Sequence, residues 1–359
     1  YAAIIERCQS KGCIEEKKKK LFERLIKNAG RTPRDYGAKF KVDLDEEISL
    51  GSAVSRICLH LLEDMQKNLP GGIADIDSEF LHDFRIAVRR TRSLLSLMRK
   101  YLPPEQISDY EEGFKWLGTV TGAVRDIDVY LLKKNTYQDL LPAEMRGGLA
   151  LFFDQLAEQR ITELAHLKKH LNSERYSDLI DNWRTFLTDP GSEMFEGRRK
   201  KSCLKIVNKI VRKRFNRFIA DADSITDDTP DDQLHKLRIK GKKFRYLLEF
   251  FKSFYPEEDV ALFLRHMKKV QDNLGDFNDL SVQTEMLNNK IQSLRGRNKQ
   301  TILLAAALGS LVTMLKNEHD VVRGQFRNTY AAFSTEENKR LMVSLTTNSH
   351  HGPPDKRLP

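Results

Sequence analysis

An internal repeat constrains this chain more than any other feature. His82-Asp-Phe-Arg85-Ile-Ala-Val-Arg89-Arg90-Thr-Arg92-Ser-Leu-Leu95 matches His235-Lys-Leu-Arg238-Ile-Lys-Gly-Lys242-Lys243-Phe-Arg245-Tyr-Leu-Leu248. The offset, 235 − 82, is 153 residues, and it also carries Pro103 onto Pro256, Lys115 onto Lys268, Gly122 onto Gly275 and Asp126 onto Asp279 without an insertion. Register kept over such a span means two copies of one structural unit. The copies fall at 51–190 and 198–335, joined by the Pro- and Gly-containing stretch 188–197. Two copies suggest a pseudo-twofold arrangement. Residues 1–50 lie outside the repeat as an N-terminal extension expected to be helical, and 336–359 form a C-terminal tail.

Apolar residues recur at three and four throughout, and no Val/Ile/Thr-rich alternating segment stands between turn signals, so the expected fold class is all-α. The spacing predicts helices over about 52–68, 79–101, 105–137, 143–171 and 174–187, then 199–221, 232–254, 257–294 and 299–333. The most apolar run, Thr301 to Leu315, is shorter than the roughly 20 residues that cross a bilayer and reads as a buried helix.

Within the repeated segment the charges are segregated. At about 100° per residue, positions 82, 85, 89 and 92 share an arc of about 80°, with Arg90 on its flank. The far side carries Phe84, Val88, Thr91, Leu95 and Met98, a core face. The second copy sets His235, Arg238, Lys242 and Arg245 against Leu237, Phe244, Leu248 and Phe251, with Lys243 beside the stripe. A solvated helix face mixes signs at i, i+4 to gain pair energy. These stripes are almost wholly positive, and a polyanion would relieve that self-repulsion. Arginine forks grip phosphate oxygens in pairs while lysine acts as a mobile point charge, and the imidazoles of His82 and His235 can donate to phosphate or orient a neighbouring arginine.

Further basic positions extend the set. Lys115 and Lys268 precede the repeated glycines, and Arg56 has Lys209 as its counterpart, with Lys213 one turn on. All five are candidates to line the same groove. Lys240 stands on the core side of its helix, where Ala87 stands in the first copy, and is expected to snorkel outward. Gly122 and Gly275 are expected to let helices approach closely. Asp126 with Asp128, and Asp272, Asp276 and Asp279, have the oxygen chemistry of a Mg²⁺ or Ca²⁺ site, but only Asp126 and Asp279 repeat. No metal site is expected, and Asp126 and Asp279 are assigned to orienting basic side chains.

The formal charge of +10 fits a polyanionic partner without choosing among nucleic acid, anionic lipid and polyphosphate. Four cysteines, Cys8, Cys13, Cys58 and Cys203, form neither a disulfide framework nor a zinc pattern, and no signal-like segment opens the sequence, so a cytoplasmic location is expected.

These motifs resemble a known family. His82 to Arg92, followed by Gly122-Ala-Val-Arg125-Asp126-Ile-Asp128-Val, is similar to the first half of a CHAD domain, the conserved histidine α-helical domain. His235 to Glu249 with Leu274-Gly275-Asp276-Phe277-Asn278-Asp279 resembles the second half, so the likeness spans about 51–335. The resemblance implies two tandem four-helix units related by a pseudo-twofold axis around a central basic groove or pore that binds inorganic polyphosphate, and association with polyphosphate granules. It carries over His82, Arg85, Arg89, Arg90 and Arg92, and His235, Arg238, Lys242, Lys243 and Arg245, as polyphosphate-binding residues. Family members often accompany triphosphate-tunnel enzymes, whose Glu-x-Glu-x-Lys signature this chain lacks.

The expectation is therefore a non-catalytic polyphosphate-binding protein without a cofactor, apart from a divalent cation that can accompany the polymer. An enzyme would use metal-bound aspartates or the two histidines as phosphoryl acceptors, but no nucleophile-plus-base set recurs in both copies. A nucleic-acid binder would show the same salt dependence, yet the stripes lack interleaved aromatics for base stacking. A membrane surface is disfavoured because the faces opposite the stripes are committed to a core. The sequence leaves the oligomeric state open.

Overall fold

Proline punctuation places the central helices. Pro103 and Pro256 cap the third helix of each half, where a missing N–H leaves no helical hydrogen bond unmade. The computed structural model describes residues 40–189, 202–296 and 298–347. The expected helix within 1–39, with Cys8 and Cys13, lies outside them, as does most of the stretch 188–197.

Among the described residues all regular structure is helical. In chain order the helices are α1 (Leu50–Ala74), α2 (Ser78–Met98), α3 (Pro104–Val120), α4 (Gly122–Leu132), α5 (Lys134–Leu140), α6 (Ala143–Leu171), α7 (Glu174–Thr188), α8 (Cys203–Asp223), α9 (Asp231–Phe250), α10 (Glu257–Ser293), α11 (Lys299–Phe333) and α12 (Glu336–Thr347). The 153-residue offset survives in the boundaries. Ser78 and Asp231 open α2 and α9, and the 3₁₀ turns Arg99–Tyr101 and Lys252–Phe254 follow them.

Three expectations are corrected. The single helix over 105–137 is instead α3, α4 and α5, broken at Thr121 and Lys133. At the first break the Thr121 hydroxyl donates to Leu117 O at 2.7 Å, a local bond that competes with helix continuation. The segment 336–347 is no tail: α12 packs on α8 and α10, buries Met342 and Leu345, and is held through Thr346 O by Asn208 Nδ2 at 3.1 Å and Arg212 Nη2 at 2.7 Å. The N-terminal boundary also moves. Residues 40–49 are not helical, and Phe40, Val42 and Leu44 alternate into the core while Leu44 N donates to Ser253 Oγ at 3.1 Å.

The apolar faces pack as their periodicity requires. Phe84, Val88, Thr91, Leu95 and Met98 of α2, and Leu237, Phe244 and Leu248 of α9 with Phe251 just beyond its end, are all buried in one core that draws on both halves of the chain. Each fully buried large apolar side chain stabilises the fold by about 1.5–3 kcal/mol. A second core joins α4, α5 and α6 to α10 and α11 and takes in Leu304, Leu308, Leu311 and Leu315 of the apolar run.

Glycine packing differs from expectation too. A Cβ at Gly275 would meet nothing within 4 Å, and one at Gly122 would make ordinary contact with Arg85. A close approach of one helix to the backbone of another occurs instead at Gly148, where a Cβ would overlap Leu303 O as α6 crosses α11. Where α1 ends, Asp75 adopts a left-handed conformation with φ of 56°. Arg160 of α6 grips its carboxylate with two bonds of 2.6 and 2.8 Å and reaches the buried Asp128 at 2.6 Å.

Candidate anion-binding site

Helices α2 and α9 pack against each other, and α3 packs on α2. With their apolar faces taken up by the core, their basic residues meet around a cavity of about 380 Å3. That is room for about a dozen waters. Its lining includes Arg89 and Arg92 from α2, Lys115 from α3, and Lys242 and Lys243 from α9, with Glu111 of α3 as the acid among the lining residues. Glu111 is itself paired with Arg99 at 3.6 Å.

The cations disturb one another. The ammonium of Lys242 is pushed down to about 8, first by burial and then by the charges of Arg238 and Arg89. Burial lowers Lys243 as well, helped by Arg214 and Arg92. Partly dehydrated like charges around one cavity destabilise one another, and an anion among them reverses the sign of that interaction.

Other residues of the stripes have partners within the protein. Arg85 donates from Nη1 to Gly118 O at 3.0 Å and Thr121 Oγ1 at 2.9 Å, so it fills the break between α3 and α4. Arg238 pairs with Asp279 at 3.4 Å. Arg90 and Arg245 both pair with Glu249, at 3.3 and 3.2 Å. His82 is half-buried, and burial followed by the charge of Arg125 holds it below the usual histidine value. His235 is exposed.

The additional candidates divide sharply. Lys115 lines the cavity. Its counterpart Lys268 pairs with Asp272 at 2.6 Å on its own helix, Arg56 donates to Asp43 O at 3.2 Å, and Lys209 and Lys213 are exposed on α8 outside the lining. Lys240 snorkels to Asp221 at 2.7 Å. Asp279 does face a basic side chain, and Asp126 lies within electrostatic range of Arg85 and Arg125. Asp128 and Asp272 are each held by a cation, and among the described residues no group of three or more His, Cys, Asp or Glu side chains is arranged to hold a metal ion.

Sequence reasoning missed three participants. Arg214 of α8 acts on Lys243 but aligns with the core residue Leu61, so self-comparison could not find it. Arg125, quoted within the motif, acts on His82 and pairs with Glu79 at 3.6 Å. Glu249 does carry a sequence signal, an acid four residues after Arg245 on the same helix.

The family model for the CHAD domain matches residues 56–288. A crystal structure of the CHAD domain from the plant Ricinus communis is similar, with a TM-score of 0.65 and 26% identity, covering 80% of this chain and 95% of that one. PptA from Streptomyces chartreusis shares the fold, with a TM-score of 0.61 and 14% identity over 78% of this chain and 99% of its own. No curated protein matches the chain in sequence.

Proposed function

Because the chain belongs to the CHAD domain family, we propose that the cavity between α2 and α9 binds inorganic polyphosphate without catalysis. The observation that carries this reading is the convergence of Arg89, Arg92, Lys115, Lys242 and Lys243 on one cavity whose lining includes a single acid, Glu111. Guanidinium forks take pairs of phosphate oxygens and the lysines follow the remaining charge. A linear polymer suits this better than a single phosphate does. Each unit of the chain brings another anion to cations that already repel, so affinity rises with length.

Granule association in the cytoplasm follows from the same family reading, and a divalent cation can accompany the polymer. Among the described residues no helix is long and apolar enough to cross a membrane. Competition between long-chain polyphosphate and single- or double-stranded DNA at physiological salt tests the partner. Polyphosphate should displace DNA; the reverse preference would replace this reading with a nucleic-acid one. Phosphate release at a turnover rate with added Mg²⁺ would overturn the non-catalytic assignment.

A further inference from the structure

The two basic helices make one contact twice, and the two versions differ in charge. Lys243 Nζ of α9 donates to Ser96 Oγ of α2 at 3.3 Å. Arg90 Nη2 of α2 donates to Glu249 Oε2 of α9 at 3.3 Å. At the 153-residue offset Arg90 is the counterpart of Lys243, and Ser96 of Glu249. The same positions therefore meet in both directions, as they do where two isologous surfaces face each other. In one version the acceptor is a neutral hydroxyl, in the other a carboxylate.

The surroundings differ in the same sense. Arg92 and Lys243 share the cavity with Ser93 and Ser96. Tyr246, the counterpart of Ser93, borders this cavity and also reaches the related flank, its ring 5.9 Å from the Arg90 guanidinium and 5.8 Å from that of Arg245. Glu249 Oε1 stands 3.2 Å from Arg245 Nε, and Arg245 is the counterpart of Arg92. The charges of Asp64 and Asp83 also fall on Arg90. Between α2 and α9, then, the neutral Ser93 and Ser96 leave space beside Arg92 and Lys243, where the lining acid is Glu111 of α3, whereas the carboxylate of Glu249 is paired directly with both Arg90 and Arg245.

We propose that Glu249 is a built-in counter-anion, occupying the repeat counterpart of the phosphate site so that a polyphosphate chain is gripped on the Arg92–Lys243 flank and refused on the Arg90–Arg245 flank. The inference rests on reading the cavity as a polyphosphate site. A phosphate approaching Arg245 meets a fixed negative charge already bonded to it, and like-charge juxtaposition excludes a ligand more effectively than a missing contact does. The duplicated stripe is then asymmetric in use, and the polymer path runs along one side.

Two substitutions test this in opposite directions. Ser96→Glu places the same carboxylate beside Arg92 and Lys243, and affinity for long-chain polyphosphate should fall by about tenfold or more. Glu249→Gln keeps the shape and removes the charge. Affinity should rise, and the slope of log affinity against log salt should steepen by about 1 as Arg245 joins the site, Arg90 remaining under Asp64 and Asp83. Thermal melts followed by circular dichroism report whether each variant is folded. Should Glu249→Gln fail to fold, Ser96→Glu at its half-buried position decides alone. Wild-type protein that binds polyphosphate, with Ser96→Glu binding equally well or folded Glu249→Gln unchanged in affinity and slope, overturns the inference and leaves the functional reading standing. Wild-type protein that ignores polyphosphate overturns both.

Discussion

Arg90 of α2 and Glu249 of α9 meet at 3.3 Å across 159 residues of sequence, with 11% and 22% of their side chains exposed. The Arg90 guanidinium also lies 5.6 Å from the ring of Phe40, so the pair joins the extended N-terminal segment, the first half and the second half at one point. One of the repeated basic positions thus contributes to holding the halves together. Arg89, Arg92, Lys242 and Lys243, for which the structure shows no carboxylate within salt-bridge distance among the described residues, line the cavity.

Reversing two of these charges should separate binding from folding. Arg89 is exposed and Lys242 half-buried, so Arg89→Glu with Lys242→Glu leaves the apolar faces of α2 and α9 intact. Polyphosphate affinity should drop by about a hundredfold or more, each reversed contact being worth at least about tenfold, while far-ultraviolet circular dichroism stays at the wild-type level. Normal binding by the double variant would remove the cavity from consideration.

Binding should weaken as pH rises through about 8, because the Lys242 ammonium loses its proton there. A phosphate beside it favours the charged form and shifts the loss upward in the complex. Stability moves the other way. The folded value lies below the ordinary 10.5, so the unfolded chain binds more protons between about 8 and 10.5, and this group makes the free protein more stable as pH rises through that window. Titrations of binding and of urea unfolding should show opposite slopes, and Lys242→Arg should flatten both.

Arg160 is expected to be a stability determinant. Removing it leaves Asp128, 3% exposed, as a buried carboxylate without its cation, and releases the left-handed Asp75. Arg160→Met should cost about 3 kcal/mol in urea unfolding, and adding Asp128→Asn should recover part of that loss. An unchanged midpoint for the single variant would show that the pair contributes nothing net.

The glycines offer a contrast at matched chemistry. Gly148→Ala forces a methyl group onto Leu303 O and should destabilise the protein by about 1–3 kcal/mol. Gly275→Ala meets open space inside α10 and should stabilise by about 0.5–1 kcal/mol through helix propensity. Equal effects in differential scanning calorimetry would contradict the packing described.

Much of this molecule was legible in its linear pattern. The helical period assigns Phe84, Val88, Leu95, Leu237, Phe244 and Leu248 to the interior, and the 153-residue offset locates α2 and α9 from residue order alone. Less legible was the short helix α12, whose contacts lie with α8 and α10 and which has only two large apolar residues buried along it, Met342 and Leu345. Arg214 escaped because its partner Lys243 sits on another helix and its repeat counterpart is Leu61.

By itself the sequence determined an all-helical chain with two copies of one basic helix, because period and duplication are properties of residue order alone. Tertiary structure decided how the charges are used. Like residues such as Arg90 and Arg92 read identically along a stripe, but whether an arginine meets a carboxylate or open space depends on side chains brought in from a helix some 150 residues away, where Glu249 stands opposite one and Lys243 lies beside the other. Ionic partnership is set by distances of a few ångströms between elements, and no local pattern encodes those distances.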